Sequence, residues 1–238
     1  MAYLKLEDMA KEKQPLTALL YCAPGIGKTT ALGLIAEQGQ GKTLILDVDR
    51  TVVTTLGKKE VVKDLSKIEI RQIDNMATWS DWEKALLELD TAKKAGKLDF
   101  DTIAVDNISE LERCILSDLG RQGKNKGVPA QSDYQYMQFK LVNSLRFMKS
   151  LGVNVIWTAW ETVEEFQNPD GTGYTRLFPK CSKKIVDNIC GLCDIVGKIH
   201  AKQDGTRVVI LEAMQNVYAK NQRDSRKGCA VEDFMKFE

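Results

Sequence analysis

The stretch Ala23-Pro24-Gly25-Ile26-Gly27-Lys28-Thr29-Thr30 holds the residue types needed to wrap a polyphosphate. It follows an apolar run over residues 16–21 and opens a segment of helical composition over 29–36. That is the strand–loop–helix setting of a phosphate-binding P-loop. Such a loop turns its backbone N–H groups inward, and glycine reaches the backbone angles this requires. Lys28 is then placed to reach the terminal phosphates and the Thr29 hydroxyl to ligate Mg²⁺, while the helix N-terminus adds partial positive charge. The usual pattern, G-x-x-x-x-G-K-[ST], has its first glycine replaced by Cys22. A chance glycine-rich turn ahead of a helix is the bland alternative.

Acidic and polar groups end three further apolar runs. Thr102-Ile103-Ala104-Val105 leads to Asp106, the arrangement in which a carboxylate near Mg²⁺ orients a metal-bound water. A strand-capping Asp is the plainer reading. Thr43-Leu44-Ile45-Leu46 leads to Asp47-Val48-Asp49. Hydrolysis needs a base or orienting group for water. The position after Asp106 is Asn107, whose amide cannot take a proton, so Asp49 is the candidate base, against the alternative of a solvated turn residue. The third run ends in Trp157-Thr158-Ala159-Trp160-Glu161, where Thr158 or Glu161 is a candidate γ-phosphate sensor.

These groups need a sheet to bring them together. Continuous apolar runs predict buried strands at 43–46, 102–105 and 153–158 beside the one before the P-loop, and alternation predicts another at 68–73. Trp79, Trp82, Leu86 and Leu89 recur at helical spacing, as do Tyr134, Met137, Leu141, Leu145 and Met148. A helix is expected over 108–119, a loop over 120–132, a hairpin turn at 168–173, and late strands at 194–199 and 207–211. Alternation of strands and helices predicts an α/β fold: a mainly parallel sheet with helices on both faces and an antiparallel edge hairpin. Functional groups then gather at the carboxyl ends of the strands.

The chain has 238 residues, 43% of them hydrophobic, and a formal net charge of +1. One domain over 1–238 is expected, with a polar lead-in at 1–14 and a tail at 224–238. The charge balance excludes a globally basic nucleic-acid binder, so any such contact must be local. There is no apolar run long enough for a membrane span, and residues 1–14 lack a signal-peptide core, so the cytoplasm is the expected compartment. Cys190-Gly191-Leu192-Cys193, with Cys181 and the single His200, supplies four potential zinc ligands at an unfamiliar spacing; buried free thiols are the alternative.

The order of motifs over residues 16–226 resembles the RecA-like P-loop ATPase core, and more narrowly the short RecA-like ATPases of phages that act as single-strand annealing recombinases. The resemblance rests on 23–30, Leu46-Asp47-Val48-Asp49, Ile103-Ala104-Val105-Asp106-Asn107, Trp157-Thr158-Ala159-Trp160-Glu161 and Tyr218-Ala219-Lys220-Asn221-Gln222-Arg223. It implies an enzyme that hydrolyses ATP with Mg²⁺, in a homo-oligomeric ring or filament on single-stranded DNA. Other recombination or replication proteins are possible partners. It also implies that Asp49 holds the position of the catalytic carboxylate. Lys220 and Arg223 match a segment that reaches the γ-phosphate of a neighbouring subunit, although solvated surface charge is the plain alternative. Trp160 stands where such proteins carry His or Gln.

By the same resemblance, 120–127 falls at a first DNA loop, with Arg121, Lys124 and Lys126, and 166–184 near a second, with Arg176, Lys180, Lys183 and Lys184 beside Phe166, Tyr174 and Phe178. Cations track a phosphate backbone and aromatic rings stack on unpaired bases. Two other functions stay open: a P-loop enzyme such as a nucleotide kinase, and a non-hydrolysing nucleotide-binding assembly partner.

Overall fold

A computed structural model of the chain describes residues 5–7, 14–58 and 61–237; most of the polar lead-in lies outside the described residues. The apolar run ahead of the P-loop forms β1 (Thr17–Cys22), in which every residue is buried. Its neighbours are equally apolar because helices cover both faces of the sheet. They are β2 (Thr43–Asp47), β4 (Thr102–Asp106) and the first half of β5 (Asn154–Gln167). With β3 (Ile68–Gln72) and β7 (Ile195–Ala201) they make a parallel set in the order β7-β1-β5-β4-β2-β3.

Antiparallel strands close one side. β8 (Arg207–Ile210) pairs with β7, and β10 (Gly228–Ala230) pairs with β8. The short β9 (Lys220–Asn221) pairs with the start of β7. The expected α/β class, parallel sheet and antiparallel edge are therefore observed.

Helix α1 (Lys28–Gln38) and the short α2 (Val52–Leu56) cover one face. Ala31, Leu32 and Ile35 of α1 pack with Ala18, Leu20, Ile45, Ala104 and Ile156, and the C-terminal Val231 and Phe234 join the same core. The expected tail is thus partly built into the body. On the other face lie α3 (Thr78–Lys94), α4 (Ile108–Gln122), α5 (Gln131–Ser150) and α6 (Lys183–Leu192). Their buried residues share one core with Leu19, Leu46, Val105 and Trp157. The alternation of side chains along each strand sends odd and even positions to these two layers.

One expectation is corrected. The loop expected from residue 120 begins later, because α4 runs on to Gln122; Gly120 lies inside the helix, and a Cβ there would sit 2.6 Å from Gly127 O. The close approach of the returning chain explains the glycine better than mobility does. The hairpin turn expected at 168–173 is observed within the segment 166–184. β5 continues beyond the sheet and pairs from Glu161 to Gln167 with β6 (Gly173–Pro179), and Lys183 opens α6.

Trp82 on α3 is fully buried, and its indole N–H donates to Ser144 Oγ on α5 at 3.0 Å. Trp82→Ala leaves a large cavity and removes one of the two hydrogen bonds of Ser144 Oγ, which still donates to Lys140 O, so urea denaturation should show a loss of about 3–5 kcal/mol. A loss under about 1 kcal/mol would mean that this layer is not packed as described.

Candidate functional site

Cys22 ends β1 in extended conformation, fully buried, and pairs in register with Trp160 of β5. No glycine is needed there, which accounts for the departure from the usual P-loop pattern. Glycine is needed further on: Gly25 has φ +83 and Gly27 φ +116, both left-handed. Gly27 is the N-cap of α1, and no side chain caps the helix. Its first N–H groups are therefore left for a ligand, the arrangement that binds anions. Lys28 begins the helix. It is only 7% exposed and makes no hydrogen bond or ion pair among the described residues. Lys28 lines the cleft beside Asp49, and a bound anion would give its ammonium a hydrogen-bond partner.

Asp106 ends β4 and is fully buried. Thr29 Oγ1 donates to its Oδ2 at 2.6 Å, and Thr158 Oγ1 on β5 donates to its Oδ1 at 2.6 Å. The carboxylate is thereby fixed between α1 and β5. Thr158 was expected as a γ-phosphate sensor, and this is a correction: it is fully buried and its hydroxyl holds Asp106 instead. Glu161, the other candidate, is paired at 3.0 Å with Lys198 of β7.

Asp49 follows β2. Asn107 Nδ2 donates to its Oδ2 at 2.6 Å, while Asn107 Oδ1 accepts from Glu110 N and so caps α4. Oδ1 of Asp49 is buried without a partner among the described residues. Burial, with Asp106 and Glu110 adding repulsion, pushes its carboxyl up to about 7, although Lys28 pulls the other way. Asp47, in register with Asp106, is also fully buried, and burial and Asp106 raise it as well.

A cleft of about 320 Å³ joins these parts, lined by Pro24, Gly25, Gly27, Lys28, Thr29, Thr30, Asp49, Thr51, Thr55, Trp160 and Arg207. Arg207 was not singled out from the sequence. No motif surrounds it, and it reaches the loop from the edge hairpin, its Nε donating to Ile26 O at 3.1 Å. Mg²⁺ fits the donor set. It keeps several waters and takes few protein ligands beside the phosphates, and Thr29 and Asp106 meet at the open end of the loop. Among the described residues no group of three or more His, Cys, Asp or Glu is arranged as a metal cage. Cys190 and Cys193 are buried and His200 is exposed on β7; burial pushes the Cys190 thiol up to about 12.

Lys220 and Arg223 lie away from this cleft. β9 pairs with the amino end of β7, opposite the carboxyl ends where the P-loop sits. Lys220 Nζ donates to the carbonyls of Cys190, Gly191 and Cys193 at 3.3, 3.1 and 2.7 Å, closing the C-terminus of α6. Arg223 donates to Gln14 O and lies over the Phe237 ring.

Of the expected DNA contacts, Arg121 is tied down, donating to Ser117 Oγ at 2.8 Å and Met76 O at 2.9 Å. Lys124 and Lys126 are exposed in the connection between α4 and α5. On the hairpin, Phe166 stacks on Tyr174 and Phe178, and Arg176 lies over both Phe166 and Tyr174 at 5.6 Å. Lys180, Lys183 and Lys184 are exposed; Lys183 pairs with Glu164 at 3.2 Å.

The glycine loop, Lys28 and the carboxylates at the strand ends gather at one cleft. A family model described as AAA domain matches residues 14–223, and the chain belongs to that family. No curated protein matches it. Among solved structures, the crystal structure of the RadB recombinase matches with a TM-score of 0.45 and 15% identity, over 87% of this chain and 85% of that one. No helix among the described residues is long and apolar enough to cross a membrane.

The raised Asp49 has a consequence for stability. An ordinary Asp ionises near 3.8 and the folded one near 7, so the unfolded chain releases this proton first. Its contribution is full below about 4 and is lost as pH rises to about 7. Denaturant midpoints of Asp49→Asn and wild type should therefore diverge in that window, the variant gaining relative stability as pH rises. A pH-independent difference would show that Asp49 titrates normally.

Proposed function

We propose that the protein is a Mg²⁺-dependent ATPase that works on single-stranded DNA as a homo-oligomer, in the manner of the RecA-like recombination ATPases its sequence resembles. The observation that carries the nucleotide reading is the convergence of the partnerless Lys28 with the Thr29–Asp106 pair at an uncapped helix N-terminus. The P-loop backbone and Lys28 bind the phosphates. Thr29 and Asp106 are the residues that would hold Mg²⁺ beside the phosphates, and the ion would supply charge neutralisation there. Asp49, held by Asn107, is the residue that takes the proton of the attacking water. A carboxyl poised near neutral pH suits that task better than an ordinary Asp, which is a weak base.

The DNA reading is supported by surface chemistry. Lys124, Lys126, Lys180 and Lys184 are exposed cations, and the hairpin carries rings bracketed by Arg176. Together they offer both phosphate attraction and stacking surface. Oligomerisation does not find support in Lys220 or Arg223 as donors to a neighbour, since both are bonded within the chain.

Steady-state ATPase and equilibrium nucleotide binding, each with and without a single-stranded oligonucleotide, test the reading. Lys28→Ala should abolish nucleotide binding. Asp49→Asn should retain it and lose roughly 10²–10⁴-fold in turnover. Lys124→Ala with Lys126→Ala should weaken oligonucleotide binding and flatten its salt dependence without changing basal turnover. Folded wild type that takes up nucleotide but never turns it over, with or without DNA, would leave a non-hydrolysing assembly partner in place of an ATPase. No magnesium-dependent uptake at all would end both.

A further inference from the structure

The edge hairpin brings a second cation to the P-loop. The turn between β7 and β8 is closed by Lys202 N to Thr206 O at 2.8 Å and Gly205 N to Lys202 O at 3.0 Å. Asp204 Oδ1 also accepts from Thr206 N at 2.9 Å. Arg207, the next residue, pairs with Ala201 at the carboxyl end of β7, and β7 lies directly beside β1. The backbone of Arg207 is therefore set by the same sheet that holds the P-loop strand. β8 is flanked on its other side by β10, so it is an inner strand here.

The side chain is half-buried and crosses to the loop, where Nε donates to Ile26 O at 3.1 Å. The approach is close: a Cβ on Gly27 would stand 2.3 Å from that Nε. Gly27 thus serves twice, once for its left-handed backbone and once for the room it leaves to the guanidinium. A guanidinium carries five N–H donors. Only Nε has a partner among the described residues, and both Nη groups have none. The guanidinium borders a cleft whose only other lining cation among the described residues is Lys28.

We propose that Arg207 binds the phosphate chain of the nucleotide in the same subunit, its Nη groups donating to phosphate oxygens while Nε keeps the P-loop carbonyl of Ile26. This rests on the nucleotide reading of the cleft. Planar, bidentate recognition of phosphate is what arginine does better than lysine. The charge that such loops often receive from a neighbour is then supplied in cis by the fold.

Calorimetric titration of the full chain with magnesium and a non-hydrolysable ATP analogue, and separately with magnesium and inorganic tripolyphosphate, tests it. Arg207→Met keeps the apolar stem and removes the donors; Arg207→Lys keeps the charge. The methionine variant should bind both probes roughly ten- to a hundredfold more weakly, with partial recovery in the lysine variant. Lys202→Met removes the same charge from the adjacent exposed turn and should leave both affinities within about twofold, since solvent and salt screen it. Loss of the ATP analogue alone, with tripolyphosphate unchanged, would place Arg207 on the base or sugar and overturn the proposal. So would equal binding of both probes by wild type and Arg207→Met. If Arg207→Met does not fold, Arg207→Lys binding tripolyphosphate as tightly as wild type does would overturn it too, because a point charge cannot replace a bidentate fork. Wild type that binds neither probe overturns the nucleotide reading itself, and this proposal with it.

Discussion

Burial of like charge at one end of the sheet is the constraint on which the site depends. Asp47 and Asp106 are register partners on adjacent parallel strands, so their side chains leave the same face beneath α1. Asp49 follows two residues on, and all three carboxyls are largely removed from water. Such a cluster works against folding, since each ionised group is desolvated and repelled by the others. The structure offsets this locally. Two hydroxyls fix Asp106, the Asn107 amide holds Asp49, and the Lys28 ammonium sits close enough to pull the Asp49 carboxyl back toward ionisation. What remains uncompensated is directional: an unbonded ammonium, an uncapped helix start and a raised acid all face one cleft. That is the signature of a site prepared for a charged ligand at some expense in stability.

The parallel core was legible because strands buried on both faces must be apolar at every position, and nothing else in the chain reads that way. Leu16 to Cys22, 43–47, 102–106 and the start of β5 all announced themselves so. The pieces that sequence reasoning missed have weak local signals. α2 has five residues, two of them β-branched valines and two threonines, and stands because Val52 and Leu56 pack under α1. β9 has two residues and β10 three, too short for any periodicity. The residues of α6 were assigned no element from the sequence, yet Ile185, Val186, Ile189 and Cys190 lie at helical spacing and are all buried.

The site divides in the same way. The P-loop, Asp106 and Asp49 were legible because each sits on a short local pattern whose chemistry depends on spacing. Asn107 was read only as an acid that is missing, whereas its amide positions Asp49, a role that requires knowing that β2 and β4 are neighbours. Arg207 lies 181 residues from its partner Ile26. A contact made across that distance by a sheet edge leaves no trace in local sequence. Thr158 shows the reverse: its type and strand-end position suggested a ligand contact, and packing turned it into a support for Asp106.

Lys220 makes the sharpest case for deciding by contacts rather than by motif position. Three carbonyls from the end of α6 converge on its ammonium, and those are the groups a helix leaves without partners at its C-terminus. The negative end of the helix dipole adds to the attraction. Swinging the side chain out to a neighbouring subunit would strip donors from all three carbonyls and separate the cation from that dipole. A contact across a subunit boundary would have to replace each of these interactions before adding anything to a transition state. The guanidinium of Arg207 faces no such opposition: its Nη donors are without partners among the described residues, it already borders the cleft, and its strand is fixed on both sides. Charge delivered from there needs no rearrangement of the fold, and the sheet that positions Lys28 and Asp106 positions it as well.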